Sequence, residues 1–313
     1  MTRRFPMPIP SGWFQVGYAD DLVAGAVAPL RYFDRDLVLF RTASGEAHLL
    51  DAFCPHLGAH LGHGGDVVGE HIRCPFHHWE LDGQGVCRRI PYASRIPPKA
   101  RVRAWPLVQR SGILWAYHHP RAEAPTWEPP EVPEAGGGSA GFERHQWVIA
   151  THNQEIAENS VDKAHFRYVH GTVTVPDAEL RVDGPRRDAV QCIRMATPRG
   201  ELDGEIRVEA YGLGCSVTRF SGLCDVVLIA AHTPVDREHV EAHFSFVRPA
   251  AEEGSPKARL AAAVVRDIVK QMNEDIPIWE HKLYRDRPLL CDGDGPIGAF
   301  RKWAKQFYME ESA

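Results

Sequence analysis

Cys54-Pro55-His56 and, seventeen residues further on, Cys74-Pro75-Phe76-His77 are the stretch on which the reading of this chain turns. Each segment offers one thiolate and one imidazole. Each places a proline directly after the cysteine, which stiffens a tight loop. A structural zinc site more often pairs like with like, as C-x2–4-C and H-x3–5-H. Here both donor types are mixed within each loop. Two cysteines and two histidines delivered this way match a [2Fe–2S] centre in which histidines replace cysteines on one iron. Cys54, His56, Cys74 and His77 are the expected ligands. His78 adjoins His77, but the C-x-x-H spacing selects His77. His60 and His63 are expected on the loop surface.

Around these loops the first third of the chain reads as short strands. Residues 13–17, 37–41, 47–51 and 112–117 are rich in β-branched and aromatic residues, with Gly, Asp and Pro clusters between them. Residues 1–118 are therefore expected to form an all-β domain. Pro120, Pro125, Pro129, Pro130 and Pro133 run into Gly136-Gly137-Gly138, so 119–141 reads as a linker. Residues 142–313 form the second unit. It has a helical segment over 153–170 and consecutive strand-like runs within 190–247. A long amphipathic helix follows over 256–283, carrying Leu260, Val264, Val265, Ile268, Val269 and Met272 at helical spacing. A shorter helix covers 297–308. The expected class is α+β: an all-β cluster domain, then an antiparallel sheet with long C-terminal helices.

The second unit carries its own candidate metal site. Asp162-Lys163-Ala164-His165 ends in His165, and His170 follows five residues later. Asp162 and His165 share a helical face. His165 and His170 lie about 140° apart on an ideal helix, so the segment must distort or end between them to aim both at one ion. Two imidazoles need a carboxylate to complete the facial triad of a non-haem Fe(II) oxygenase, which leaves positions open for O2. Asp275 is the favoured candidate and Glu274 the alternative. Pro277 should loosen the helix that carries them.

Bulk properties narrow the remaining classes. The 313 residues carry a net charge of −5 from 36 basic and 41 acidic side chains, with no basic block that would suggest nucleic acid. The N-terminus has two arginines but no apolar segment after them, so no secretory signal is expected. No apolar run is long enough to cross a membrane. Seven cysteines, an odd number scattered along the chain, are not a disulfide framework and point to the cytoplasm. Cys87, Cys192, Cys215, Cys224 and Cys291 are expected as buried thiols. Two G-x-G-x-x-G matches, at Gly136/Gly138/Gly141 and Gly293/Gly295/Gly298, do not follow strands of βαβ units and read as loops.

The paired loops resemble those of Rieske oxygenases. Rieske proteins of respiratory complexes carry an extra cysteine in each loop, where this chain has Ala59 and Phe76. They also carry hydroxyls where it has Trp79 and Leu81. Fewer hydrogen bonds to the sulfurs imply a low-potential, electron-donating cluster. Asn153, Glu155-Ile156, Asn159, Val161-Asp162, Ala164-His165-Phe166, Tyr168 and His170 resemble the corresponding run of the 3-ketosteroid 9α-hydroxylase oxygenases. Residues 90–105, 288–296 and 300–308 also fit that family. Cys54–Leu61 and Gly64-Gly65 are closer to the cholesterol 7-desaturases of the same steroid-acting branch.

That resemblance implies a helix-grip-like catalytic domain and a homotrimer without a β subunit, in which each cluster serves a neighbour's iron. It implies that Asp162 bridges His77 of one chain and His165 of the next, and that Asn159 lies near the iron. O2 would be the co-substrate. NAD(P)H and flavin would reside on a separate ferredoxin reductase. The substrate would be hydrophobic and steroid- or sterol-like, hydroxylated or desaturated, with contacts in 171–250. Two alternatives remain at this level: a monooxygenase or demethylase acting on an aromatic or alkaloid substrate, and a non-enzymatic Rieske electron carrier.

Overall fold

The computed structural model describes residues 4–136, 138, 141–171, 180–197, 200–221, 225–248 and 254–309, without the side chains of 191–197 and 200–204. The first unit contains β1 (Gly12–Tyr18), β2 (Val27–Tyr32), β3 (Arg35–Arg41), β4 (Ala47–Asp51), β5 (Asp66–Val68) and β6 (His71–Arg73). These are followed by β7 (Glu80–Leu81), β8 (Cys87–Arg89), β9 (Ala104–Trp105), β10 (Leu107–Arg110) and β11 (Ile113–His118). They form three small sheets in the orders β1-β11-β10, β2-β3-β4-β9 and β5-β6-β7-β8. The last of these supports the cluster loops. Its core holds Ile72 and Leu81, together with Cys54, Cys74 and Cys87.

The second unit contains β12 (Glu143–Ile149), α1 (Asn153–Asn159), α2 (Lys163–Tyr168), β13 (Arg181–Asp183), β14 (Arg186–Thr197), β15 (Gly200–Tyr211) and β16 (Cys215–Ser221). After these come β17 (Val226–Pro234), β18 (Val240–Val247), α3 (Pro256–His281) and α4 (Ile297–Ala304). The seven strands form one antiparallel sheet, ordered β12-β18-β17-β16-β15-β14-β13.

The centre of that sheet is covered on both faces. Val226, Leu228 and Ala230 face α3, where Ala261, Val265, Met272 and Trp279 meet them. The alternate residues Val227, Ile229 and Ala231 pack on Trp13, Trp115 and Tyr117 of the first unit. A strand buried on both sides reads as an unbroken apolar run, as β17 does. The segment after β11 is strapped onto this interface. The Trp13 indole donates to Trp127 O at 2.7 Å, and the Val132 N–H donates to the Ser111 hydroxyl at 2.7 Å.

The β2–β3 hairpin joins the two units. Its two turn residues, Phe33 and Asp34, have φ of 57° and 58°, the mirror-image turn that fits strand twist but is costly for phenylalanine. Tertiary contacts offset that cost. The N–H groups of Phe33 and Asp34 donate to Pro234 O and Val235 O at 2.8 and 2.9 Å, and the Phe33 ring stacks on Trp105 and His118.

Two expectations need correction. The helical segment 153–170 is two helices, α1 and α2, separated at residues 160–162. The long helix runs over Pro256–His281 with Pro277 inside it, close to the expected 256–283. Cys291 is exposed in a turn whose N–H is bonded to the Asp294 carboxylate, whereas Cys87 and Cys215 are buried as expected. Cys224 and the side chain of Cys192 lie outside the described residues, as does 172–179 within the expected substrate region.

Candidate metal centres

The two cysteine loops share one backbone design. Cys54 N–H donates to Ala59 O at 2.9 Å, and Gly58 N–H returns to Cys54 O at 3.0 Å. In the second loop Cys74 N–H donates to Trp79 O at 2.8 Å, and His78 N–H returns to Cys74 O at 3.1 Å. Equivalent positions turn each loop in the left-handed conformation: Gly58 with φ 76° and His78 with φ 56°. His78 is thus the turn residue and is exposed. The His77 ring instead lies against that of His56, with centroids 4.6 Å apart. Trp79 stacks on His56 at 4.7 Å and donates its indole N–H to the Tyr92 hydroxyl at 2.8 Å.

This donor set fits a [2Fe–2S] cluster. Cys54 and Cys74 are both buried. Burial pushes the Cys54 thiol up to about 12, and the neighbouring Cys74 adds to the rise. His77 Nδ1 is buried with no hydrogen-bond partner. Two buried cysteines, one of them a thiol that burial keeps from ionising alone, beside an orphaned imidazole nitrogen are what a bound cation would complete.

In the second unit α1 stops at Asn159, and Asp162 restarts the chain as the N-cap of α2. Its Oδ1 accepts the N–H groups of Ala164 and His165 at 3.1 and 3.4 Å. Its backbone carbonyl accepts His165 Nδ1–H at 2.5 Å. On its own-chain side the resemblance implied a bond from the carboxylate to His165. The backbone carbonyl makes that bond, while Oδ1 of the carboxylate caps α2. α2 ends at Tyr168, so His170 lies beyond the helix, and the two rings come to 5.1 Å between centroids.

Asp275 enters from α3. One donor atom each of His165, His170 and Asp275 lies within 4.8 Å of the others. His170 Nε2 is 3.4 Å from Asp275 Oδ2. Asn159 Nδ2 donates to Asp275 Oδ2 at 2.9 Å and stands 3.2 Å from His165 Nε2. Glu274, the alternative carboxylate, faces away from this cluster of atoms and accepts from His170 Nδ1 at 3.0 Å. Both imidazoles therefore donate through Nδ1, which assigns the bare Nε2 atoms to the space beside Asp275.

Burial lifts the Asp275 carboxyl to about 6, against the pull of His170. Burial also holds His165 below its ordinary value. A buried carboxylate beside two imidazole nitrogens that carry no proton is a donor set that suits a cation. Two imidazoles and one carboxylate fit mononuclear non-haem iron with open positions.

Residues 12–106 match the Rieske [2Fe–2S] domain family, and residues 116–308 match the 3-ketosteroid 9α-hydroxylase C-terminal domain. The chain belongs to the 3-ketosteroid 9α-hydroxylase family of Rieske oxygenases. A 3-ketosteroid-9-alpha-monooxygenase oxygenase component from Rhodococcus rhodochrous is 33% identical over 97% of this chain and 85% of its own length. A cholesterol 7-desaturase from Ciona intestinalis is 28% identical over 98% of this chain and 70% of its own. Among solved structures, dicamba monooxygenase bound to 3,6-dichlorosalicylic acid superposes with a TM-score of 0.75 at 18% identity, covering 96% of this chain and 98% of that one. At that identity the likeness is one of fold.

The Rieske oxygenase thus uses a [2Fe–2S] cluster and a mononuclear iron, and the electron-carrier alternative is not favoured. The supports of its second centre carry almost no signal in the sequence. His152 caps α1, with Nδ1 accepting from Gln154 N–H at 3.1 Å. Glu158 and Arg301 form a two-pronged pair at 2.7 Å, and Lys282 lies 2.5 Å from Glu155. Arg187 donates to the Ser160 hydroxyl at 2.7 Å. Only His152 had a local signal, its place directly before the helical segment. The other partners are distant in sequence.

Proposed function

We propose that this Rieske oxygenase hydroxylates or desaturates a steroid- or sterol-like substrate, using electrons from a separate ferredoxin reductase that holds the NAD(P)H and flavin sites. The observation that carries the substrate class is the match of residues 116–308 to the 3-ketosteroid 9α-hydroxylase C-terminal domain. In that domain the sheet face packed against α3 is apolar, where Phe220, Leu228, Phe244 and Phe246 meet Ile268 and Val269. The curated relatives named above, one a steroid monooxygenase and one a sterol desaturase, support the same reading. The aromatic or alkaloid alternative rests on fold likeness alone.

Cys54, His56, Cys74 and His77 would hold the cluster, and His165, His170 and Asp275 the iron. When bound, these groups supply single electrons and O2 activation. The chain's own residues hold that arrangement in place. Asp162 O and Glu274 fix the two imidazoles by their Nδ1–H groups. Asn159 holds Asp275 Oδ2. We take residues 1–118 as the cluster domain, 119–141 as the connecting strap and 142–313 as the catalytic domain, working in the cytoplasm.

The cluster end of the first unit supports a homotrimer without a β subunit. Phe53, Leu57, Phe76 and Tyr92 are at least half exposed there, and such a patch calls for a covering surface. A second copy would bring His77 to Asp162. Asp162→Asn keeps the helix cap but removes the charge. It should retain both metals and lose roughly 10- to 100-fold in turnover. Wild-type turnover in that variant would remove the bridge.

The substrate class is tested by turnover with a surrogate reductase on a sterol, a 3-ketosteroid and an aromatic acid. The expected products come from the sterol or the ketosteroid. Turnover confined to the aromatic acid would overturn the assignment.

A further inference from the structure

The two histidines of the second centre are held differently. His165 Nδ1–H donates to a neutral acceptor, the backbone carbonyl of Asp162. His170 Nδ1–H donates to a carboxylate, Glu274 Oε2, at 3.0 Å. The His170 side chain is 2% exposed and that of Glu274 is 30% exposed, so the pair is shielded on the imidazole side. On the solvent side Lys270, one turn earlier on α3, lies 2.9 Å from Glu274 Oε1. Adjacent positions on a helix diverge by about 100°, so Glu274 and Asp275 cannot both present oxygen to one ion at its centre. They instead reach opposite nitrogens of one imidazole. Asp275 stands on the Nε2 side at 3.4 Å and Glu274 on the Nδ1 side.

We propose that Glu274 is a positioning residue for the mononuclear iron: it fixes the tautomer and ring orientation of His170 and strengthens His170 Nε2 as a donor. This rests on the assignment of His165, His170 and Asp275 as the ligand set. A carboxylate behind a ligating imidazole pulls on its N–H and raises the electron density at the opposite nitrogen. A backbone carbonyl does so less. The site is therefore unequal, with His170 the stronger ligand and Lys270 moderating the Glu274 charge from outside.

The test measures Fe(II) affinity by chelator competition on protein carrying its Rieske cluster, with the cluster's visible absorption as an internal control. Glu274→Gln, similar in shape but uncharged, should weaken Fe(II) binding by tenfold or more and leave cluster absorption unchanged. Glu274→Ala should weaken it further. In the Co(II)-substituted protein, the exchangeable imidazole N–H resonance of His170 should move in Glu274→Gln while that of His165 stays. A merely structural role would not separate the two. Fe(II) affinity and N–H resonances unchanged in Glu274→Gln would overturn the proposal. Should Glu274→Ala fail to fold, the Gln variant alone decides. Asp275→Ala separates the two levels of the claim. Loss of Fe(II) there upholds the ligand set, whereas wild-type binding there would overturn that set and this proposal with it.

Discussion

Gly295 has no room for a side chain. A Cβ there would run into the carbonyl oxygen of Val161, in the turn between α1 and α2. That turn sets the spacing between Asn159, which holds Asp275, and His165. Gly295→Ala should therefore displace the turn and cost about 1–3 kcal/mol, the usual penalty of overpacking. It should also weaken Fe(II) binding while the cluster absorption persists. An unchanged urea midpoint together with unchanged Fe(II) affinity would contradict this. At this scale the candidate ligands were legible in the sequence, because few residue types bind iron and their spacings were unusual. The roles of Glu274 and Gly295 were not. Each depends on a partner more than a hundred residues away, and Gly295 on its own looked only like part of a glycine-rich loop.

The element that positions the second centre is α1, and His152 is its cap. His152 is neutral in the fold, with Nδ1 accepting from Gln154 N–H and Nε2 placed 3.2 Å from Pro8 O. Burial pushes its pKa down to about 4 from an ordinary 6.5. Between those values the unfolded chain binds a proton that the folded chain refuses. Stability from this residue is complete above about pH 6.5 and is lost as pH falls toward 4. Urea unfolding at pH 5 should show about 2 kcal/mol less stability from this source than at pH 7.5. His152→Asn, which can still cap, should lack that loss. Identical pH dependence in the two proteins would contradict the assignment. The need for a break before His170 was legible from helical geometry alone. The further break at 160–162 was not, because Arg187, Gly295 and α4 shape it from afar.

For the whole molecule, the two-sided burial of the central strands of the seven-stranded sheet ties the two units into one body. One face carries the cluster domain and the other carries α3 with Asp275. The class and order of elements were legible because β17 reads as a continuous apolar run and α3 as a 3.6-residue repeat. The docking of the Phe33–Asp34 turn on Pro234 and Val235 was not, since it joins strands two hundred residues apart. A cluster and a separate iron at the named residues are tested most directly by iron quantification on anaerobically reconstituted protein, comparing wild type with Asp275→Ala. About three irons per chain are expected in the wild type and about two in the variant, with the cluster spectrum intact in both. About two irons in both proteins, or three retained in Asp275→Ala, would contradict that assignment.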